Sequence, residues 1–293
     1  MFILKICTIF AADKFNVQIN SKMKHELKEV VAVVNNKGGV GKTTTVQSLA
    51  KAIVRRHPKY RVLCIDLDPQ GNLSTLLGFD GNGRTMMDAL KEYSPLEDNS
   101  GRVPVYKSQD GIFYAPASPL LQEADNVINH QMQPMQVLYG CFGAAVDDHT
   151  DDSLGYVNDS FEYVLIDCPP ALSRTTYNAM AVADSLLIPV QMEGLSVNGL
   201  GSILVEMTRV KKTVNKELEI KGIVPVMVDM RGNITKGFLD YLPKTYGDYV
   251  TKTFIHRSLK VNEAQSRCLD IFDYAPKSPA AVDYECLEKE IFK

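Results

Sequence analysis

The chain has 293 residues, 45% of them hydrophobic, and its formal net charge at pH 7 is −3. This length allows one large core or two small ones. The slightly acidic total excludes a protein that is basic throughout, so any nucleic-acid contact must be a local patch. Six cysteines in so long a chain do not suggest a disulfide framework. Cys64 and Cys168 lie in apolar runs, as expected of reduced thiols in the cytoplasm.

Residues 1–28 are predicted to be a leader, either disordered or forming an added strand. The apolar stretch at its start is short, is broken by Lys5, and has neither a cationic segment ahead of it nor a clear small-residue cleavage site. It therefore does not resemble a signal peptide, and no run in the chain approaches the roughly 20 apolar residues of a membrane span. Met23 remains open as an alternative start.

Strands and helices are predicted to alternate along the rest of the chain. The predicted strands are residues 29–34, 61–66, 111–118, 161–170, 184–190 and 222–229. The predicted helices are residues 43–56, 85–90, 119–142, 195–215 and 233–243. Residues 80–110 are otherwise polar and rich in turns, and 147–153 form an acidic loop. This alternation predicts an α/β fold, a doubly wound and mostly parallel sheet flanked by helices.

The segment NNKGGVGKTTT, residues 35–45, lies between the first predicted strand and the first predicted helix. It is similar to the phosphate-binding pattern G-x-x-x-x-G-K-[ST] but departs from it at one position. The opening glycine is replaced by Asn36, and a second lysine, Lys37, follows it. A plain strand-to-helix turn is the competing interpretation, and it would explain neither the glycines nor the lysines.

The rest of this loop has the residues that phosphate binding needs. Gly38, Gly39 and Gly41 let backbone N–H groups turn inward and approach a phosphate closely. The helix that follows adds its positive N-terminal end. Lys42 is expected to reach the β- and γ-phosphates, and Thr43 to ligate Mg²⁺.

Two further strands are predicted to end in carboxylates at the edge of the sheet where ligands bind. Asp66 and Asp68, in DLDPQGN, point to the same side of the chain and can hold Mg²⁺ through water or orient an attacking water. Turn chemistry around residues 69–71 is the competing interpretation. Asp167, in VLIDCPP, has the setting of a Walker-B aspartate, and Cys168 beside it is interpreted as a packed thiol.

Together these segments carry a family resemblance. In order and spacing, KGGVGKTT (37–44), DLDPQGN (66–72) and DCPP (167–170) resemble the deviant-Walker-A ATPases of the ParA/MinD family. Four more segments resemble its ParA/Soj branch: TTYNAM (175–180), PVQMEGLSVNGL (189–200), HRSLKVNEAQS (256–266) and YAPKSPAAVDY (274–284). The resemblance implies that residues 29–293 form a single ParA-like P-loop ATPase domain.

The resemblance implies ATP and Mg²⁺ as cofactors and a homodimer that closes face to face on two ATP molecules. Lys37 would then reach the phosphates of the neighbouring subunit, as an arginine finger acts in trans. Asp68 would position or activate the hydrolytic water, and Asp66 would support the Mg²⁺ shell.

The implied site residues fall into three groups. The implied catalytic residues are Lys37, Lys42, Asp66 and Asp68. The implied ATP-binding residues are Lys37, Gly38, Gly39, Val40, Gly41, Lys42, Thr43, Thr44, Met227 and Asp229, the last two gripping adenine. The implied Mg²⁺ ligands are Thr43, Asp66 and Asp167.

The resemblance also implies a function: a cytoplasmic, nucleoid-associated switch that binds nonspecific double-stranded DNA when ATP dimerises it. It would segregate a plasmid, chromosome or mobile element, with slow hydrolysis stimulated by a ParB-like partner. Residues 205–267 hold twelve Lys/Arg and seven Asp/Glu, a local charge of +5 that leaves −8 for the rest. That suits contact with phosphate backbones, although a solvated face is the competing interpretation. The implied DNA contacts are Arg231, Arg257 and Lys260.

Four alternatives remain at this point. A MinD-like membrane-cycling regulator should end in a basic amphipathic helix, whereas the tail after Pro279 has a net charge of −2 and its Leu287 and Ile291 could pack on the core. An electron donor like the nitrogenase iron protein needs cluster cysteines, which Cys168 does not match in position. A small-molecule synthetase would need a substrate site that the sequence does not reveal. The fourth is an ATPase that positions a protein cargo.

Overall fold

The computed structural model describes residues 26–150, 152–192 and 194–292. The predicted leader therefore lies almost entirely outside the described residues. At its end, the amides of Leu27 and Lys28 donate to the carbonyls of Asn158 and Glu162.

The described elements alternate much as the sequence predicts. The strands are β1 (Glu29–Val33), β2 (Val62–Asp66), β3 (Pro104–Lys107), β4 (Phe113–Ala115), β5 (Asp147–Asp148), β6 (Tyr163–Asp167), β7 (Ser185–Gln191) and β8 (Glu219–Val226). The helices are α1 (Lys42–Arg56), α2 (Asn72–Leu76), α3 (Met86–Glu92), α4 (Ala124–Asn129), α5 (Val137–Gly143), α6 (Val157–Ser160), α7 (Arg174–Val182), α8 (Gly194–Thr213), α9 (Asn233–Tyr246), α10 (Leu259–Gln265), α11 (Ile271–Tyr274) and α12 (Pro279–Ile291). Two 3₁₀ turns lie at Pro119–Glu123 and Gly247–Tyr249.

The strands form one sheet in the order β5-β3-β4-β2-β6-β1-β7-β8, and its pairs are parallel except for antiparallel β3–β4. Crossover helices join the parallel strands, so the predicted doubly wound α/β fold is confirmed. In this register Asp167 pairs with Val33 on one side and with Asp66 on the other. The carboxylates and the start of the glycine-rich loop therefore lie at the same edge of the sheet.

Helices cover both faces of this sheet. Along β1, Val30 and Ala32 belong to one buried cluster and Val31 and Val33 to the other, because alternate strand residues point to opposite faces. The second cluster includes apolar residues of α1 and α12, among them Leu287 and Ile291. The predicted packing of those two side chains on the core is confirmed.

The region between β2 and β6 departs most from prediction. The predicted helix 119–142 is wrong as a single element, since a 3₁₀ turn, α4 and α5 replace it and no helix spans residues 130–136. Pro134 lies in that break, where it has no N–H to donate and restricts the residue before it. Asn178 of α7 stabilises the break by hydrogen bonds to both sides of it. Its Nδ2 donates to the Pro134 carbonyl at 2.8 Å, and its Oδ1 accepts from the Leu138 amide at 3.1 Å.

Two strands were not predicted. β3 lies in the segment predicted to be rich in turns, and β5 lies in the predicted acidic loop. Both are short and owe their conformation to pairing: β3 pairs with the nearby β4 and with β5, and β5 pairs with β3. Strand 111–118 is shortened to β4. None of the helices described is both long and apolar enough to cross a bilayer.

Candidate nucleotide site

The glycine-rich loop leaves the buried end of β1 and turns directly into α1. Gly39 and Gly41 have φ angles of +74° and +82°, which L side chains rarely adopt, so these two positions need glycine. Gly41 is the N-cap of α1, and no described side chain caps that end of the helix. The first amides of α1 are therefore available to an anion.

Two asparagines shape the entry to the loop. The buried Asn35 donates from Nδ2 to the Pro189 carbonyl at 2.7 Å and accepts from the Lys37 amide at 2.9 Å. Asn36, at the position where the ordinary pattern has glycine, packs against α8, since a Cβ on Gly199 would lie 2.7 Å from its Oδ1. Asn36, which replaces the glycine of the ordinary pattern, is therefore held against α8. The hydrogen bonds of Asn35 were not predicted from the sequence.

The two loop lysines occupy different places. Lys42 is buried, and its Nζ donates to the Lys37 carbonyl at 3.2 Å. Burial lowers its pKa, and the charge of Asp167 opposes that shift. Lys37 instead donates from Nζ to Gln191 Oε1 at 3.2 Å, at the end of β7.

Thr43 and Asp167 meet beside Lys42. The Thr43 hydroxyl donates to Asp167 Oδ2 at 2.6 Å, while Asp167 Oδ1 is buried with no hydrogen-bond partner within the described chain. Burial, and then repulsion from Asp66, raise the pKa of Asp167 well above its usual value. A divalent cation fits these residues, because it would satisfy the orphaned oxygen and offset the crowding of negative charge.

Asp66 is held by its own chain. Its Oδ1 accepts from the Asp68 amide at 3.1 Å, and its Oδ2 accepts from the amide and hydroxyl of Ser74 at 2.9 and 2.7 Å. Burial raises its pKa to about 6. With both oxygens engaged, Asp66 is placed to assist a hydrated cation, and Ser74 is a supporting residue that the sequence did not indicate.

A cavity of about 450 Å³ opens in front of the loop. Asp68 lines it together with Gly38 to Thr44. The opposite wall comes from the C-terminal part of the chain and includes Met227, the segment 255–259, Asn262, Gln265 and Tyr284. A nucleoside triphosphate fits such a site, with its phosphates at the loop and its base toward the far wall.

The two predicted adenine contacts separate in the structure. Met227 lines the cavity with φ at +53°, and its Cε lies 3.8 Å from where a Cβ on Gly41 would be. Asp229 does not line this cavity, and its Oδ2 instead pairs with Arg231 at 2.7 Å. Gln265 and Tyr284 were not predicted as lining residues, although both lie in segments that carry the family resemblance.

The three predicted DNA contacts lie on two neighbouring segments. Arg231 is 90% exposed, Arg257 lines the cavity, and Lys260 pairs with Glu263 at 2.7 Å. The segments are adjacent because the Arg257 amide donates to the Val228 carbonyl at 3.0 Å.

Two cysteines have the buried environment expected from the sequence. Cys64 and Cys168 are fully buried, and burial raises the pKa of each thiol. Such thiols are weak nucleophiles and weak metal ligands, in keeping with packed side chains.

The doubly wound sheet, the glycine-rich loop opening α1 and the adjacent Thr43–Asp167 pair define a P-loop nucleotide-binding protein.

Comparison with known proteins makes this class more specific. A family model described as an AAA domain matches residues 28–220. The sporulation initiation inhibitor protein Soj of Bacillus subtilis is 31% identical over 269 residues, covering 90% of this chain and 98% of Soj. The chromosome partitioning protein ParA of Caulobacter vibrioides is 33% identical over 264 residues, covering 89% and 93%.

A solved structure with the same fold also binds a nucleotide. Cobyrinic acid a,c-diamide synthase from Mycobacterium smegmatis, with bound ADP and magnesium, superposes with a TM-score of 0.69 at 26% identity, covering 90% of this chain and 93% of the synthase. The chain belongs to the ParA/Soj family of P-loop ATPases.

Proposed function

We propose that this chain is an ATP-dependent dimerisation switch that binds nonspecific DNA and segregates a plasmid, chromosome or mobile element. The observation that carries the proposal is the separation of the two loop lysines. Lys42 lines the cavity of its own chain, whereas Lys37 does not line it and extends to Gln191 instead. A cation held outside its own phosphate site is suited to serve the site of a second copy.

The residues around the cavity are proposed to bind Mg·ATP. The loop amides and Lys42 hold the phosphates, and Thr43 with Asp167 holds Mg²⁺, assisted by Asp66 through water. Held there, Mg²⁺ would supply positive charge that offsets the negative charge of the phosphates. A bound nucleotide and cation would also offset two unfavourable features of the chain, the buried ammonium of Lys42 and the unsatisfied oxygen of Asp167.

Asp68 is proposed to orient the water that attacks the γ-phosphate. It lines the cavity, and its Oδ1 accepts from the Gln70 amide at 3.0 Å. That turn presents the carboxylate from a short loop anchored to Asp66, so its position depends on a fixed backbone. Turnover is slow until a ParB-like partner and DNA stimulate it.

The proposed DNA surface consists of Arg231, Arg257 and Lys260, within the basic segment 205–267. Its contacts are to phosphates, so binding is independent of base sequence. The C-terminal helix favours this function over membrane cycling, because its Leu287 and Ile291 side chains are buried in the core. We place the protein in the cytoplasm, associated with the nucleoid.

The test is duplex-DNA binding by fluorescence anisotropy, with Mg²⁺ and either ATP or ADP, using Asp68→Ala to prevent turnover. We expect binding that requires ATP, ignores DNA sequence and weakens with salt, with a slope of about −0.9 per phosphate contacted. The same slope with Arg231→Ala should be smaller by about one contact. Absence of binding in both nucleotide states would refute the DNA-segregating function and redirect the search to a protein cargo.

A further inference from the structure

The short helix α10 has one face on the nucleotide cavity and another on the protein surface. Val261, Asn262 and Gln265 line the cavity. Lys260 and Glu263 lie outside that lining and are bonded to each other. At helical spacing these two sets fall on different sides of a two-turn helix.

On the cavity side, α10 is joined to the phosphate loop by one side-chain hydrogen bond. Gln265 Nε2 donates to Thr44 Oγ1 at 2.7 Å. Thr44 lies in the first turn of α1, two residues after Lys42, where a bound phosphate lies against the helix end. Among the described residues, no other side-chain hydrogen bond connects α10 to α1.

On the outer side, α10 organises basic groups. Glu263 accepts from Lys260 Nζ at 2.7 Å and from the Tyr274 hydroxyl at 2.6 Å. The charged groups of Lys260 and Arg267 lie 5.8 and 5.1 Å from the centre of the Tyr274 ring. The positions of both cations therefore depend on where α10 sits relative to α11.

We propose that Gln265 is a positioning residue that communicates occupancy of the nucleotide cavity to the basic surface formed by Lys260 and Arg267. A hydroxyl has one proton and a limited number of acceptor sites. A nucleotide that engages Thr44, or shifts the first turn of α1, changes what Gln265 can bond. Because α10 is only seven residues long, a new position for Gln265 moves Lys260 and Arg267 with it. The inference rests on the proposed function, since it requires a nucleotide at the loop.

The first experiment is hydrogen–deuterium exchange of the full chain with and without saturating Mg·ADP, a nucleotide not expected to close the dimer. In the wild type we expect protection of residues 38–46 and at least a threefold change in amide exchange at residues 259–267. Gln265→Leu should keep the first effect and lose most of the second. Ser266→Ala is the matched control, because Ser266 adjoins Gln265 but lies outside the cavity lining, and its hydroxyl donates to the Glu263 carbonyl at 2.8 Å; it should behave as wild type.

A second variant probes the same bond from its other end. Thr44→Val removes the hydroxyl at nearly constant volume, and combined with Gln265→Leu it should add little to either single change. Thr44→Ser keeps the hydroxyl and should restore the response at residues 259–267. The ratio of DNA dissociation constants in Mg·ADP and Mg·ATP should fall about fivefold or more in Gln265→Leu.

The outcomes separate the two proposals. Loop protection with no response of residues 259–267 in the wild type, or a full response retained in Gln265→Leu, overturns the role of Gln265 and leaves the nucleotide switch standing. No loop protection with any nucleotide overturns the proposed function and this inference together.

Discussion

Replacing Lys51 with methionine tests how the C-terminal part of the chain is held against α1. Lys51 Nζ lies 2.9 Å from Asp110 Oδ1, 3.1 Å from Asp270 Oδ2 and 2.9 Å from Asp273 Oδ2. One ammonium group therefore lies within salt-bridge distance of three carboxylates. Methionine keeps a flexible stem of similar length but removes the charge, so the three carboxylates face one another unopposed.

The expected cost follows from the exposure of each partner. Removing one member of a buried ion pair costs about 3–5 kcal/mol. Asp110 and Asp273 are 48% and 43% exposed, so water replaces much of what they lose. Asp270 is only 4% exposed but keeps two hydrogen bonds from the amides of Phe272 and Asp273. We therefore expect a loss of about 3 kcal/mol at pH 7, the lower end of that range.

The assay is urea unfolding followed by circular dichroism, with thermal unfolding as a second measure. The midpoint temperature should fall by about 6–12 °C, from roughly 2–4 °C per kcal/mol in large domains. Lys59→Met is the control, because Lys59 is exposed and has no ion pair among the residues described. A Lys51→Met variant whose free energy of unfolding matches that control at pH 7 would refute the reasoning.

Acid should reduce the difference in free energy of unfolding between the wild type and Lys51→Met. Burial acts to raise the pKa of Asp273, but the hydrogen bond from Lys51 and the positive charge of Lys51 act against it, and its pKa is lowered overall. A carboxyl whose folded pKa is depressed contributes stability above its unfolded pKa and loses it as the pH falls. The gap between wild type and Lys51→Met should therefore shrink below about pH 4.

Three further predictions concern the nucleotide site. Lys37→Ala should abolish ATP-dependent dimerisation and leave a folded monomer; an unchanged dimer in analytical sedimentation would contradict the action of Lys37 in trans. Asp68→Ala should bind ATP with little change and lose turnover by about 100-fold or more, measured as phosphate release; persistent turnover would remove Asp68 from its role. Asp66 has a folded pKa of about 6 against an ordinary value of 3.8, so the folded chain binds that proton more tightly. The free energy of unfolding without nucleotide should fall as pH rises from about 4 to about 6, with a contribution from Asp66 of up to about 3 kcal/mol. Asp66→Asn should show a smaller slope than the wild type in urea titrations, while the raised pKa of Asp167 leaves part of it.

The sequence predicted the centre of the sheet well and its edge poorly. Helices cover both faces of the central strands, so consecutive residues there are apolar and the local sequence predicts a strand. This holds for β1, β2, β6, β7 and β8. β5 has two acidic residues and no such signal. Its strand conformation comes from pairing with β3, more than forty residues away in sequence, and a local pattern does not record a partner so distant.

The same distinction applies to the nucleotide site. The loop, Thr43 and Asp167 are readable because each lies beside a strand end in a compact motif. Gln265 is 221 residues from Thr44, and Ser74 is a common residue type whose bond to Asp66 depends on how α2 begins. The break in the predicted helix 119–142 was missed for a related reason, since Asn178 stabilises it from α7.

The two walls of the cavity are far apart in sequence, and this separation has a consequence for synthesis of the protein. The phosphate loop is translated 221 residues before Gln265. At a synthesis rate of roughly 5–20 residues per second, about 10–45 seconds pass before the residues of the opposite wall are made. During that interval α1 also lacks Lys51's carboxylate partners on α11. A nascent chain therefore has a phosphate loop but no completed nucleotide cavity, and it becomes able to hold a whole nucleotide only when its last helices reach the sheet.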